Sequence, residues 1–255
     1  MANPNQRSTE WLALISALVF PTAMTWIYFV VLAGEASSIQ QTIFGIAKVI
    51  QFVFPVVWVF LICREKFQWP RPEVQGLAIG SGFGLAILVA MLLLYHLVFK
   101  QTGMFDDPAE VLREKLLGFG IDALWKYLAL GVFYSLCHSM LEEYYWRWFA
   151  YRRLQERTSF GTANLVSSLA FMSHHVILLA VYFGWTSPWT YIFSLPIAVG
   201  GGVWAWIYHR SGSLFGPCIS HLLVDAGAIY SVPRKAGNFA VWVLAYEVEL
   251  ENWYS

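Results

Sequence analysis

Seven stretches of the chain are apolar over about 20 residues, the length of helix that crosses roughly 30 Å of hydrocarbon. They run from Trp11 to Ala33, Ile43 to Cys63, Gly76 to Phe99, Ala123 to Leu141, Thr162 to Phe183, Trp189 to Tyr208 and Leu214 to Val232. A chain built this way is expected to be all-α: a polytopic transmembrane helix bundle of seven spans. An eighth is the alternative if the apolar tail from Asn238 to Tyr246 also crosses; that tail is short, and a reentrant or interfacial course is expected. The first run is too long for the apolar core of a secretion signal and lacks a small-residue cleavage site, so it is expected to remain as a span. Composition points the same way. Of 255 residues, 58% are hydrophobic and 13% charged, against about 45–50% and about 25% in soluble globular domains. That excludes an ordinary water-soluble fold and a disordered chain. Sixteen basic residues balance sixteen acidic ones, which leaves no net field to draw nucleic acid. Thirteen Trp suit anchoring at the two membrane interfaces. Cys63, Cys137 and Cys218 have no CxxC spacing and read as small core residues.

Between the spans the chain carries few features of its own. Lys48 is the one charge within the second run and is expected to snorkel toward the nearer interface. Gly76, Gly80 and Gly84 form two overlapping GxxxG steps, a helix face on which a neighbouring helix can approach closely. From Asp106 to Leu117 acidic and basic residues alternate with Val111, Leu112, Leu116 and Leu117, which predicts a short amphipathic helix at the interface, opened by Asp107-Pro108. The sixth run is interrupted by Gly200-Gly201-Gly202. Residues 1–105 form an N-terminal three-span segment and residues 106–255 the part that carries chemistry, within one integral membrane unit. With seven spans, nine basic residues fall on the side of the amino terminus and five on the other, which predicts a cytoplasmic amino terminus in a multi-pass protein of the cell membrane.

Ionisable side chains inside the membrane are costly, about 2.5–3.5 kcal/mol each on insertion scales, and a chain that keeps several holds them for function or pairing. Here they gather in the second half: Glu142, Glu143, Arg147, His174, His175, His221 and Asp225. Glu143 and Arg147 stand at i, i+4, spaced for a salt bridge, and Glu142 is rotated about 100° from Glu143, free to face the bundle interior. A buried carboxyl group in that position is poised to act as a general base. His221 and Asp225 are again i, i+4, and Phe171 shares a face with His175. Counted from the cytoplasmic face, His175 lies about 13 residues into its span and His221 about 7, so at 1.5 Å per residue both reach the inner half or the midplane.

Three motifs in order carry a resemblance. Glu142-Glu143-Tyr144-Tyr145-Trp146-Arg147 is similar to an EExxxR motif, Phe171 to His175 to FxxxH, and His221 to Asp225 to HxxxN/D. On three hydrophobic segments of a polytopic chain they resemble the CPBP family, which includes the CAAX prenyl proteases and bacteriocin-processing proteins. The resemblance covers about residues 120 to 232. It implies an intramembrane endopeptidase that hydrolyses a membrane-associated protein or peptide, with its site open to the cytosol. Glu142 would activate water and His175 would hold it. His221 with Asp225 would stabilise the oxyanion, a role worth about 2.7–4 kcal/mol per donor. Glu143, Arg147 and Phe171 would position them. The family's Asn is here Asp225, and an ionised Asp cannot donate a hydrogen bond, so Asp225 is expected to orient His221 instead.

The resemblance implies no cofactor. The metal alternative keeps the same residues, with Glu142, His175 and His221 as a zinc set, although HExxH is absent. A proton-coupled transporter and a noncatalytic membrane scaffold are the remaining alternatives. Arg152, Arg153 and Arg157 read as topogenic charges, Tyr144, Tyr145, Trp146 and Trp148 as an interfacial aromatic belt, and His174 as a contact to a neighbouring helix.

Overall fold

The computed structural model describes residues 4–66, 71–105, 112, 114, 116–118 and 120–230. Among these every regular element is helical, as expected. Helix α1 covers Pro4–Trp26 and continues as a π-helical turn, Ile27–Val31. Helix α2 covers Ser37–Val56 and Val57–Ile62, and α3 covers Val74–Leu94, Tyr95–Phe99 and Lys100–Thr102. Helix α4 is assembled from Leu124–Phe133, Tyr134–His138, Ser139–Glu143, Tyr144–Tyr151 and Arg152–Gln155, alternating α and π turns. Helices α5 (Phe160–Phe183), α6 (Pro188–Ser211) and α7 (Phe215–Tyr230) follow.

Among the described residues five helices are long and apolar enough to cross a membrane: Ser8–Val31, Ser38–Ile62, Val74–Thr102, Phe160–Phe183 and Pro188–Ser211. A shorter apolar helix, Phe215–Ile229, accompanies them. Helix α4 is not among the five, and it carries Lys126, Glu142, Glu143, Arg147, Arg152 and Arg153. Most of the expected amphipathic helix and all of the tail from Asn238 to Tyr246 lie outside the described residues. Leu112, Glu114, Leu116, Leu117 and Gly118 are helical.

Local chemistry sets the ends of the helices that bear the site. Ser159 caps α5, its hydroxyl accepting from the Thr162 amide at 3.2 Å. Gly184, at φ 92°, ends it in a conformation that L side chains rarely adopt. Pro188 then opens α6 at its first turn. The glycine triplet does not interrupt α6, which runs unbroken through it. The reason is tertiary, because the flat face that the glycines make is filled by neighbouring side chains. A β-carbon on Gly201 would lie 3.2 Å from Arg147 Nη2 and 3.3 Å from Phe171 Cδ1.

The chain divides into two compact units, residues 1–80 with 140–218 and residues 81–139 with 219–255. In the first, α5 and α6 pair along their lengths and α1 packs on α5. The core between them is made by Leu14 and Ala17 of α1, Tyr145, Trp146, Phe149, Tyr151 and Leu154 of α4, and Ala163, Phe171 and Ala205. Pro21 has no N–H, so within α1 the carbonyl four residues back, that of Ala17, loses its helical donor. The Tyr145 hydroxyl supplies it at 2.6 Å. Tyr145 and Trp146 are each 1% exposed, so these two are core residues and not the belt aromatics expected.

The glycine face of α3 works as the GxxxG spacing implies. A β-carbon on Gly80 would run into the backbone of Gly216, at the start of α7. Arg152, Arg153 and Arg157, which the sequence reads as topogenic charges, each form ion pairs within the protein. Arg153 meets Glu65 at 2.5 Å and Glu156 at 3.3 Å, Arg152 meets Glu156 at 3.3 Å, and Arg157 meets Glu10 at 2.5 Å. Burial works against the Arg153 charge, but its hydrogen bond with Glu65 and the charges of Glu156 and Glu65 outweigh burial and hold its pKa up.

In the second unit α3, the first part of α4 and α7 pack together. A β-carbon on Gly84 would lie 2.8 Å from Ser220 Cα, and Tyr127 donates to the Ile229 carbonyl at 3.1 Å.

Candidate active site

The first unit holds Glu142, Glu143, Arg147, Phe171 and His175, and the second holds His221 and Asp225. In the first, α4 supplies the acids. Glu142 is 3% exposed and Glu143 fully buried. Arg147 Nη1 donates to Glu143 Oε1 at 2.9 Å, which is the i, i+4 pair the spacing implies. The guanidinium also donates from Nη2 to the Gly201 carbonyl at 3.1 Å, and lies 4.8 Å from the Phe171 ring centroid and 5.0 Å from that of Trp204. Its charge is thus met by a carboxylate, a carbonyl and two aromatic faces. This arrangement fixes the turn of α4 that begins at Glu142, and Gly201 leaves room for it, since a β-carbon there would press on Nη2 at 3.2 Å.

On α5, His175 Nδ1 lies 3.0 Å from the Phe171 carbonyl. A carbonyl only accepts, so Nδ1 carries the proton, and in the neutral ring Nε2 keeps its lone pair. The His175 ring sits 4.9 Å from that of Phe171 and 4.1 Å from that of His174. His174 does reach a neighbouring helix, as expected, and the group it reaches there is the acid: its Nε2 is 3.8 Å from Glu142 Oε1. Its ring stacks on Trp146 with 4° between the planes and 5.8 Å between centroids. Trp146 is in turn edge-on to Phe171 at 5.6 Å. The α4 acids and the α5 imidazoles therefore occupy one buried network of carboxylates, imidazoles and aromatic rings.

In the second unit, His221 is 4% exposed and its Nε2 lies 3.5 Å from Asp225 Oδ1. The other oxygen, Oδ2, accepts from the Ser139 hydroxyl at 2.7 Å. Ser139, buried on α4, also approaches the Ser135 carbonyl at 3.0 Å, so its one proton has two acceptors within reach. Asp225 meets a donor at one oxygen and an imidazole at the other, the setting of an acceptor.

Sequence reasoning passed over His174 as a neighbour of the acid and Ser139 and Trp204 altogether, and read Gly201 only as part of an interruption of the sixth run. The glycine triplet was the one signal for Gly201. Among the described residues no group of three or more His, Cys, Asp or Glu side chains is arranged to hold a metal ion.

Two comparisons with known proteins find nothing: no curated protein and no solved structure matches the chain. A third does, as the model of the family described as type II CAAX prenyl endopeptidase, Rce1-like, matches residues 124–227. That stretch begins with α4, includes α5 and α6, and ends within α7, so it holds all three motifs. The chain carries, over residues 124–227, a domain of the Rce1-like type II CAAX prenyl endopeptidase family, a family of proteases.

Proposed function

We propose that this protein is an intramembrane endopeptidase in which Glu142 activates a water molecule to hydrolyse a peptide bond of a membrane-associated protein or peptide. The observation that carries the reading is the division of labour in the α4 acid pair. Glu143 is bound by Arg147, while Glu142, buried one position earlier, faces an imidazole.

In the proposed reaction Glu142 takes a proton from water as the oxygen attacks the scissile carbonyl, and the lone pair on His175 Nε2 accepts the second hydrogen bond from that water. The carbonyl oxygen becomes an oxyanion, stabilised by a donor from His221, with Asp225 holding the imidazole in place. The acceptor setting of Asp225, between Ser139 and His221, supports that role. Collapse of the tetrahedral intermediate breaks the C–N bond, and Glu142 returns its proton to the leaving amine. His174 and Trp146 orient the Glu142 carboxyl group. We take the chain to have seven spans in the membrane, a cytoplasmic amino terminus, and a catalytic core in residues 106–255 joined to a three-span segment in residues 1–105. The family domain points to prenylated C-terminal tails as the substrate class.

The test is cleavage of a farnesylated peptide ending in Cys-Val-Ile-Met by purified protein in micelles. Wild type should release the last three residues and Glu142→Gln should not, with chelators leaving the rate unchanged. Loss of activity on chelation with rescue by zinc would instead assign Glu142, His175 and His221 as metal ligands, and absence of cleavage accompanied by proton-coupled uptake in liposomes would replace the hydrolase with a transporter.

A further inference from the structure

Lys48 has no place in the three motifs, yet it is the one charged residue of α2 between Ser37 and Ile62. It does not snorkel to the nearer end as expected. Its position is about 16 Å along the helix from Ser37 at 1.5 Å per residue, and its ammonium turns the other way, donating to Gln51 Oε1 at 3.3 Å. Gln51 is itself 4% exposed. The same ammonium stands 5.4 Å from the ring centroid of Phe44 and 5.7 Å from that of Phe52. An ammonium has three N–H donors, and Gln51 Oε1 is the one acceptor it has among the described residues.

Side-chain contacts place this group along α4. Tyr144 donates to the Phe52 carbonyl at 3.2 Å, and the Phe52 ring is edge-on to Tyr145 at 6.2 Å. Further along, Phe54 meets Phe149 at 5.7 Å, and Glu65 meets Arg153. The two helices therefore run side by side in the same direction, with Phe52 level with Tyr144 and Tyr145. Lys48, one turn before Phe52, is level with the turn of α4 that precedes Tyr144, the turn that carries Glu142.

We propose that Lys48, held by Gln51 and flanked by Phe44 and Phe52, is a binding site for the free C-terminal carboxylate of the peptide substrate, and selects bonds a few residues from a chain end. The inference rests on the reading of Glu142 as the hydrolytic base. A three-residue leaving group, extended, spans about 10 Å, and neighbouring helix axes stand about 8–10 Å apart. A peptide whose scissile carbonyl is at Glu142 thus reaches the adjacent helix, at the same level, with its terminal carboxylate. There it meets an ammonium with donors to offer, flanked by rings that suit apolar side chains.

The test uses the full-length protein in micelles and two probes, the farnesylated peptide ending in Cys-Val-Ile-Met as the free acid and as the C-terminal amide. Wild type should favour the acid at least tenfold in kcat/KM, chiefly through KM. Lys48→Met, which keeps the length and removes the charge, should bring the ratio of acid to amide close to one, and Lys48→Arg should restore the preference. A wild type indifferent to the amide, or a Lys48→Met protein that keeps the wild-type ratio, overturns the proposal while leaving the hydrolytic reading intact. If wild type cleaves neither peptide, the hydrolytic reading falls, and the carboxylate site is judged by binding of the two fluorescently labelled peptides. Tighter binding of the acid, lost in Lys48→Met, supports it, and equal binding of acid and amide overturns it.

Discussion

Replacing Arg147 by Met removes the charge that neutralises Glu143 while keeping most of the volume between Phe171 and Trp204. Glu143 is fully buried and Arg147 is 2% exposed, so solvent screening offers little relief. Breaking a buried pair at one partner costs about 3–5 kcal/mol, because the other charge stays behind uncompensated. The reverse change, Glu143→Gln, should cost less, about 1.5–3 kcal/mol, since the guanidinium keeps the Gly201 carbonyl and two aromatic faces. Making both changes removes both charges, and the doubly substituted protein should return to within about 2 kcal/mol of wild type. The coupling energy between the two positions is then at least about 2 kcal/mol. Reversible denaturant titration in mixed micelles, followed by tryptophan fluorescence, measures all four proteins. If the two single costs simply add, or if Arg147→Met costs under about 1 kcal/mol, the pair does not hold this turn of α4 and the positioning argument for Glu142 is wrong.

Further outcomes follow from other contacts. Tyr145→Phe should destabilise by about 1–3 kcal/mol in the same titration, because the Ala17 carbonyl below Pro21 loses its donor; an unchanged midpoint would show that this carbonyl is satisfied in another way. Gly80→Val should prevent stable folding, read as loss of a monodisperse peak on size-exclusion chromatography, since its side chain would enter the Gly216 backbone; a normal peak would refute the close approach. Ser139→Ala should lower kcat about tenfold, with KM little changed, if Asp225 orients His221 through this contact. Equal loss in kcat and in thermal stability would reduce Ser139 to a packing role.

Much of the site was legible because it follows helical periodicity. Glu143 with Arg147, His221 with Asp225, and Phe171 with His175 are each four residues apart, and each forms the contact that spacing allows. The GxxxG face of α3 was legible for a similar reason, since only a close approach needs it. What escaped depends on how helices are rotated against one another. Two adjacent histidines differ by about 100° on α5, but nothing local says which of them turns toward Glu142, and it is His174 that stands 3.8 Å away. Aromatic residues beside arginines look alike at an interface and in a core, so Tyr145 and Trp146 were misplaced. The ion pairs of Arg153 and Arg157 are not legible locally, because Glu65 and Glu10, their partners, are far away in the chain. Lys48 was misjudged likewise, since the acceptor that turns it inward is as buried as a core residue.

The proposal that Glu142 and His221 are each needed for hydrolysis is tested most directly by mass spectrometry of membrane-protein C-termini in cells that carry wild type, Glu142→Gln or His221→Ala in place of the native copy. The account predicts a set of shortened C-termini present with wild type and replaced by the uncut forms with either variant. Identical C-termini in all three strains, with the variants made at normal levels, would contradict it.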